Sequence, residues 1–219
     1  AEIRDFDPLN YMDTKSARRM ARFAQIAVAA AGEALKDSQL NLDSIDRSQV
    51  AVNIGTSLGG TPNVEEQTLS FTAKNRKRVD AFYLATGTYA IGEAARTVHR
   101  GDAIVAVCGG TDAGLTALNA MAFGVIGAIA PAGDDPATAV KPFDANRKGT
   151  AGGEGCGILV LEQLEHALAR GAHIYAELAG FGATEDAYHL TAPNPSGEYA
   201  ALAISRAIED AELQPSDVD

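Results

Sequence analysis

Residues 84–110, LATGTYAIGEAARTVHRGDAIVAVCGG, decide the fold of this chain. A turn of small residues precedes apolar residues at helical spacing, which are Ala90, Ile91, Ala94, Ala95 and Val98. The predicted helix ends at residues 100–102, where Gly101 suits the left-handed conformation that closes many helices. Residues 103–107 then form a short apolar run that is typical of a buried strand. A helix that leads at once into a buried strand predicts an α/β fold.

The turn before this helix is a favourable place for a nucleophile, because free N–H groups at a helix start stabilise negative charge. Leu84 stands where a reactive side chain is expected, and Thr86 and Thr88 have no evident base beside them. An ordinary helix packed on a sheet explains this stretch equally well.

Composition excludes several classes of protein. The 219 residues are 46% hydrophobic and 21% charged, as in ordinary globular proteins, and no apolar run is long enough to cross a bilayer. The formal net charge of −11 argues against binding to nucleic acid or to an acidic membrane. Cys108 and Cys156 lack metal-ligand spacing and are expected to be reduced thiols in a cytoplasmic protein, and we expect neither a metal nor a cofactor.

The positive charge is concentrated in two clusters. Lys15, Arg18 and Arg19 form one, and Lys74, Arg76, Lys77 and Arg78 form the other. Such clusters are commonly solvated faces. Two of them on an acidic protein make an acidic partner a reasonable hypothesis.

The rest of the chain alternates predicted helices and strands. Helices are predicted over residues 16–37, 117–127, 165–170 and 196–211, and strands over residues 50–54, 157–164 and 174–181. The first helix is expected to be long and continuous, and Ser196 is the expected N-cap of the last.

An internal repeat indicates a duplicated architecture. The residues 34–37 (ALKD), Leu40 and 44–46 (SID) are echoed by residues 207–210 (AIED), Leu213 and 217–219 (DVD). The first copy runs into the predicted strand at residue 50, and the second copy stops just before a matching strand would begin.

Six motifs then occur in one order along the chain. They are residues 86–94 (TGTYAIGEA), 100–103 (RGDA), 109–110 (GG), 142–144 (PFD), 153–157 (GEGCG) and 186–193 (DAYHLTAP). Together they resemble the condensing enzymes of fatty-acid synthesis, of the β-ketoacyl-[acyl-carrier-protein] synthase II type. The resemblance implies a thiolase-like fold of duplicated α/β layers (α-β-α-β-α), present here in part over residues 1–219.

The resemblance also implies where the chemistry belongs. In that family a cysteine before the Gly-Thr pair accepts the acyl chain, and later histidines and a lysine assist decarboxylation of the malonyl unit. The cysteine position falls at Leu84, so we expect no catalytic residue in the chain as written. We further expect a gap between Tyr83 and Leu84 and absent N- and C-terminal parts.

The implied function of the full-length parent is condensation of an acyl thioester with malonyl-[acyl-carrier-protein], as a cytoplasmic homodimer. Thr191 and His189 are expected to line the substrate channel. The basic residues Lys15, Arg18, Arg19, Arg76, Lys77 and Arg78 are expected to dock the carrier protein. Two alternatives stay open, which are a non-catalytic paralogue such as a chain-length partner subunit and a scaffold that only binds the carrier.

Overall fold

The computed structural model describes residues 2–62, 65, 90–133, 135–189 and 192–218. It divides into two compact units, Ala1–His166 and Ala167–Asp219. None of the helices in the described ranges is long and apolar enough to span a membrane.

The first unit begins with two helices at the place where the sequence predicts one. α1 spans Thr14–Arg19 and α2 spans Arg22–Asp37. Met20 and Ala21 separate them in extended conformation, with ψ angles of 138° and 153°. The prediction of a continuous helix is therefore wrong, because the chain straightens for two residues and brings Arg22 to a long-range ionic partner.

A three-stranded sheet forms the centre of this unit. Its strands are β1 (Val50–Gly55), β2 (Val105–Ala113) and β3 (Glu154–Glu162), in the order β1-β2-β3. β1 and β2 are parallel, and β3 is antiparallel to β2. β2 continues through Gly109 and Gly110, beyond the apolar run predicted as a strand over residues 103–107. A Cβ at Gly109 would lie 1.9 Å from the carbonyl oxygen of Gly157. Only glycine allows the two backbones to approach this closely.

Helices cover both faces of the sheet, which explains why β2 is almost entirely buried. α3 (Ala90–His99) packs its Ala94 and Val98 on Ala106 and Cys108 of β2. α2 lies on the opposite face, where the Thr111 hydroxyl donates to the carbonyl oxygen of Phe23. The unit is thus a helix–sheet–helix sandwich.

Two further helices complete the first unit and lead out of it. α4 spans Ala117–Val125 and is capped by the Thr116 hydroxyl, which accepts from the Asn119 N–H. α5 spans Leu164–Ala169 and follows β3 directly. No residue of α4 is buried, although the helix is strongly apolar.

The second unit contains α6 (Glu198–Asp210) and a segment without regular secondary structure that packs on it through Gly180 and Gly182. Ser196 precedes the N-cap, which is Gly197 in left-handed conformation, so the predicted cap is displaced by one residue. A Cβ at Gly180 or Gly182 would lie 2.3 Å or 2.1 Å from a carbonyl oxygen of α6. Residues 174–181 form no strand within the described part of this unit, contrary to prediction.

The internal repeat is visible in the backbone. α2 and α6 are each followed two residues later by a non-glycine residue of positive φ, Gln39 at 53° and Glu212 at 56°. A 3-10 turn then follows at the same offset in both copies, over Leu42–Ser44 and Pro215–Asp217. The sequence repeat therefore corresponds to a repeated helix end, as a duplicated fold requires.

Candidate functional site

The carboxyl edge of β1 and β2 is the part of the first unit where the functional side chains are expected. α3 enters β2 through a short loop, so the beginning of α3 lies toward the end at which β2 finishes. β1 ends at the same edge because it is parallel to β2. In α/β folds ligands bind outside the carboxyl ends of the parallel strands.

The nucleophile position, Leu84, lies outside the described residues, as do Arg76, Lys77, Arg78 and Thr191. α3, the helix that follows position 84, has its apolar face on β1 and β2. The roles assigned to these positions stay predictions.

Neither described cysteine suits the role of a replacement nucleophile. Cys108 is completely buried at the middle of β2, and burial raises the pKa of its thiol to about 11. Burial also raises the pKa of Cys156, a shift that a hydrogen bond with Thr111 partly offsets. Both thiols lie within strands, and no cation among the described residues lowers the pKa of either thiol.

His189 is exposed in a loop of the second unit. Its Nδ1 accepts a hydrogen bond from the Ala192 N–H at 3.2 Å. Asp186 closes the same loop by accepting from the N–H groups of Tyr188 and Asn194, both at 3.0 Å. These bonds join described residues on either side of positions 190 and 191, and the assignment of the loop to a substrate channel remains a prediction.

The first basic cluster forms one exposed surface of α1. Arg18 and Arg19 follow Lys15 by three and four residues, so both lie on the side of the helix that carries Lys15. None of them makes an ion pair with another of the described residues. Asp13 caps the helix with hydrogen bonds to the Lys15 and Ser16 N–H groups, and these bonds fix its orientation. The surface is therefore a patch of positive charge on an acidic chain.

A carboxylate that the sequence did not single out organises the edge of the sheet. Asp112, near the end of β2, accepts hydrogen bonds from the turn that follows β1. The available signal was an acidic residue within an apolar strand, two positions after a glycine pair. Nothing in the linear pattern, however, associated it with a turn more than 50 residues earlier.

A second carboxylate, Glu154, whose side chain is almost inaccessible to solvent, binds Arg22 through both of its oxygens. Arg22 Nε lies 2.9 Å from Oε2 and Nη2 lies 2.8 Å from Oε1. Arg22 is the main cause that lowers the pKa of Glu154, and burial opposes it. The pair joins the start of β3 to the start of α2. The described residues contain no cluster of histidine, cysteine and carboxylate side chains that could hold a metal ion.

Two family models match the chain. The model described as "Beta-ketoacyl synthase, N-terminal domain" matches residues 1–84 and 83–167, and the model described as "Beta-ketoacyl synthase, C-terminal domain" matches residues 175–219.

Curated relatives agree with this match. The 3-oxoacyl-[acyl-carrier-protein] synthase 2 of Staphylococcus aureus is 39% identical over 246 aligned residues, which cover 99% of this chain and 61% of the relative. The protein of the same name from Synechocystis is 38% identical and is covered over 58% of its length. The chain therefore spans about three fifths of the length of these relatives.

Solved structures show the same relationship. The ishigamide ketosynthase/chain length factor matches with a TM-score of 0.86 and 32% identity over 100% of this chain and 60% of that one. A β-ketoacyl synthase from Burkholderia phymatum matches with a TM-score of 0.83 and 30% identity, over 97% of this chain and 59% of its own. The expected thiolase-like fold is thus confirmed. The family models, the relatives and the fold agree that this chain is a member of the β-ketoacyl synthase family.

Proposed function

We propose that this chain represents part of a 3-oxoacyl-[acyl-carrier-protein] synthase, which condenses an acyl thioester with malonyl-[acyl-carrier-protein] and releases carbon dioxide. The observation that carries the proposal is the 39% identity to a synthase of that name over nearly the whole chain. A thiolate is required because the acyl group passes between thioesters of similar energy. The scaffold for it is α3, whose beginning lies at the carboxyl edge of β1 and β2.

The 219-residue chain itself is proposed to be inactive in condensation. Position 84 is leucine, and the buried thiol of Cys108 and the half-buried thiol of Cys156, both with raised pKa values, are poor substitutes. Two observations support a missing segment between residues 83 and 84. The N-terminal family model matches in two pieces, residues 1–84 and 83–167, which meet there. The alignment to the Staphylococcus relative has 246 positions and is longer than this chain of 219 residues, so this chain has gaps in the alignment.

The direct test is to read the gene across codons 78–86 and to assay the protein it encodes. An encoded segment that ends in cysteine, with malonyl-dependent elongation and carbon dioxide release, supports the synthase. The matched control is the same protein with that cysteine changed to alanine, which should lose elongation. Elongation by the purified 219-residue chain above a protein-free blank would refute the proposed inactivity.

A non-catalytic chain-length subunit is the second candidate. One solved relative is a ketosynthase/chain length factor. An uninterrupted gene that encodes Leu84 in place of the cysteine would favour this candidate. The synthase names of the curated relatives favour the enzyme.

The proposed partner is an acyl carrier protein, and its proposed docking surface includes Lys15, Arg18 and Arg19. The support is the exposed positive patch of α1, which makes no ion pair with another described residue, and a solved relative that is a type II polyketide ketosynthase in complex with its acyl carrier protein. Because the whole chain carries −11, attraction of an acidic carrier must come from a local patch within a Debye length of about 8–10 Å.

Charge reversal tests this surface. The double change Arg18→Glu and Arg19→Glu should weaken binding of the carrier about tenfold or more at low salt, since exposed pairs contribute about 0.2–1 kcal/mol each and repulsion adds to their loss. The control Arg47→Glu with Arg96→Glu makes the same change in net charge at arginines paired within their own turns. Equal loss of affinity in both double mutants would exclude a specific patch.

The homodimer and the cytoplasmic location remain predictions. The apolar residues of α3 and β2 are buried within the chain, as Ala94 and Val105 are, and therefore do not by themselves indicate a partner subunit. α4 is a better candidate for a covered surface, since Met121 and Val125 are 69% and 86% exposed. Light scattering on the complete protein tests the dimer, and a monomeric mass would contradict it.

A further inference from the structure

The Asp112 side chain accepts hydrogen bonds from four consecutive residues of the turn after β1. The Thr56 hydroxyl donates to Oδ1 at 2.9 Å, and the Leu58 N–H donates to the same oxygen at 2.7 Å. The Ser57 N–H lies 3.1 Å from both oxygens, and the Gly59 N–H lies 3.3 Å from Oδ1. These donors belong to residues more than 50 positions away in the sequence.

The three successive N–H groups form a concave anion-binding arrangement of the kind that holds phosphate or carboxylate in other proteins. Here the anion belongs to the chain itself. Burial raises the pKa of Asp112, but the bonds from Leu58, Ser57, Thr56 and Gly59 outweigh it, so the pKa lies below its ordinary value of 3.8. The side chain therefore binds these donors as a carboxylate at neutral pH.

The same turn is held on its other side by close packing. A Cβ at Gly114 would lie 2.4 Å from Cδ1 of Leu58, so the glycine leaves room for that side chain. The buried Thr56 hydroxyl also accepts the Gly59 N–H at 2.9 Å, which closes the turn internally. The position of the turn thus depends on the residues at the end of β2.

We propose that Asp112 is a positioning residue, whose carboxylate occupies the N–H groups of residues 57–59 and fixes this turn at the carboxyl edge of β1 and β2. Its relevance to the nucleophile helix rests on the proposed function. The contact between the carboxylate and the turn does not depend on that function, so thermal unfolding and amide NMR shifts can test it without an activity assay.

Chemical rescue tests the contact directly. Asp112→Ala removes the carboxylate, and formate has the size of the group deleted. The substitution should lower the thermal midpoint by roughly 5–10 °C, since several charge-assisted hydrogen bonds are lost. Formate should restore part of that loss and should return the amide NMR shifts of Ser57 and Leu58 toward their original values, whereas chloride at equal ionic strength should not.

The matched control is Asp43→Ala, which removes an exposed carboxylate paired only with Arg47 and should show no formate effect. If Asp112→Ala does not fold, Asp112→Asn keeps the size of the side chain and removes its charge. That variant should shift the Ser57 and Leu58 amide resonances while the α2 resonances stay in place. Equal responses to formate and chloride, or unchanged turn amides in Asp112→Asn, would overturn the proposal.

Discussion

Removing one partner of the Glu154–Arg22 ion pair is expected to be among the most destabilising single changes in the first unit. The Glu154 side chain is 4% exposed and accepts two hydrogen bonds from the guanidinium group and one from the Ile3 N–H at 2.6 Å. Arg22 also donates to the Ile3 carbonyl oxygen at 2.6 Å, and its guanidinium lies 5.7 Å from the Phe6 ring centroid. The pair therefore links β3, α2 and the N-terminal segment.

Glu154→Gln keeps the size of the side chain but removes its charge and places an N–H donor opposite a donor. Breaking a buried pair costs about 3–5 kcal/mol, but Arg22 is 37% exposed and recovers part of its hydration. We therefore expect a loss of about 2–3 kcal/mol in the free energy of unfolding by urea. With about 2–4 °C per kcal/mol for a chain of this size, the thermal midpoint should fall by roughly 4–12 °C.

A double-mutant cycle separates the pair from other effects of each substitution. Arg22→Met keeps the aliphatic stem and should cost about as much alone, while the double variant with Glu154→Gln should cost less than the sum by about 1–2 kcal/mol. The exposed pair of Arg47 and Asp43 is the control, and the corresponding changes there should cost under about 0.5 kcal/mol. Equal costs at the two pairs, or a coupling energy near zero, would refute the reasoning.

The same pair predicts a pH dependence. Arg22 lowers the folded-state pKa of Glu154 below its ordinary value of 4.5. This contribution to stability is therefore present above pH 4.5 and is lost as the pH falls through the lower, folded-state pKa. The difference in stability between the original protein and Arg22→Met should shrink on acidification below pH 4.5. A difference that stays constant down to the acid transition would contradict the assigned cause.

Two further predictions concern packing and thiol reactivity. Gly182→Ala should lower the free energy of unfolding of the second unit by about 1–3 kcal/mol or more, because its Cβ would lie 2.1 Å from the Ala203 carbonyl oxygen. The control is Gly32→Ala in α2, where a Cβ meets no atom within 4 Å, and this change should be neutral or stabilising. Urea unfolding measures both variants. Burial raises the pKa of the Cys108 thiol to about 11, so at pH 8 it should be alkylated at least about a hundredfold more slowly than in the urea-unfolded chain. Peptide mass spectrometry measures the two rates, and equal rates would show that the thiol is not buried.

Local pattern was sufficient for the elements whose neighbours are close in sequence. The apolar spacing before Gly101 predicts α3, and the structure confirms it as Ala90–His99. The repeat predicts a duplicated architecture, and in both copies the residue two positions after the helix, Gln39 or Glu212, has a similar positive φ angle. In both cases the deciding interactions lie within a few residues, so the sequence window contains them.

The errors arise where a distant residue decides the local structure. A continuous apolar stripe predicts one helix over residues 16–37, but the chain interrupts it at Met20 and Ala21. The interruption sets Arg22 against Glu154, which is 132 residues away. Asp112 was missed for the same reason, since its partners lie at the end of another strand. The local sequence around neither carboxylate indicates which distant residues it binds.

Residues 174–181 show why a strand is harder to predict than a helix. The sequence predicts a strand there, and Gly180 and Gly182 do pack closely on α6, as a strand beneath a helix would. Ile174, Ala176 and Leu178 nevertheless make no backbone hydrogen bond within the described residues, and the segment has no ladder. A helix satisfies its N–H and C=O groups within its own sequence, whereas a strand requires a neighbour that can lie anywhere in the chain. The pattern therefore indicated an apolar segment that packs on a helix, while the identity of a pairing strand is information that these eight residues cannot hold.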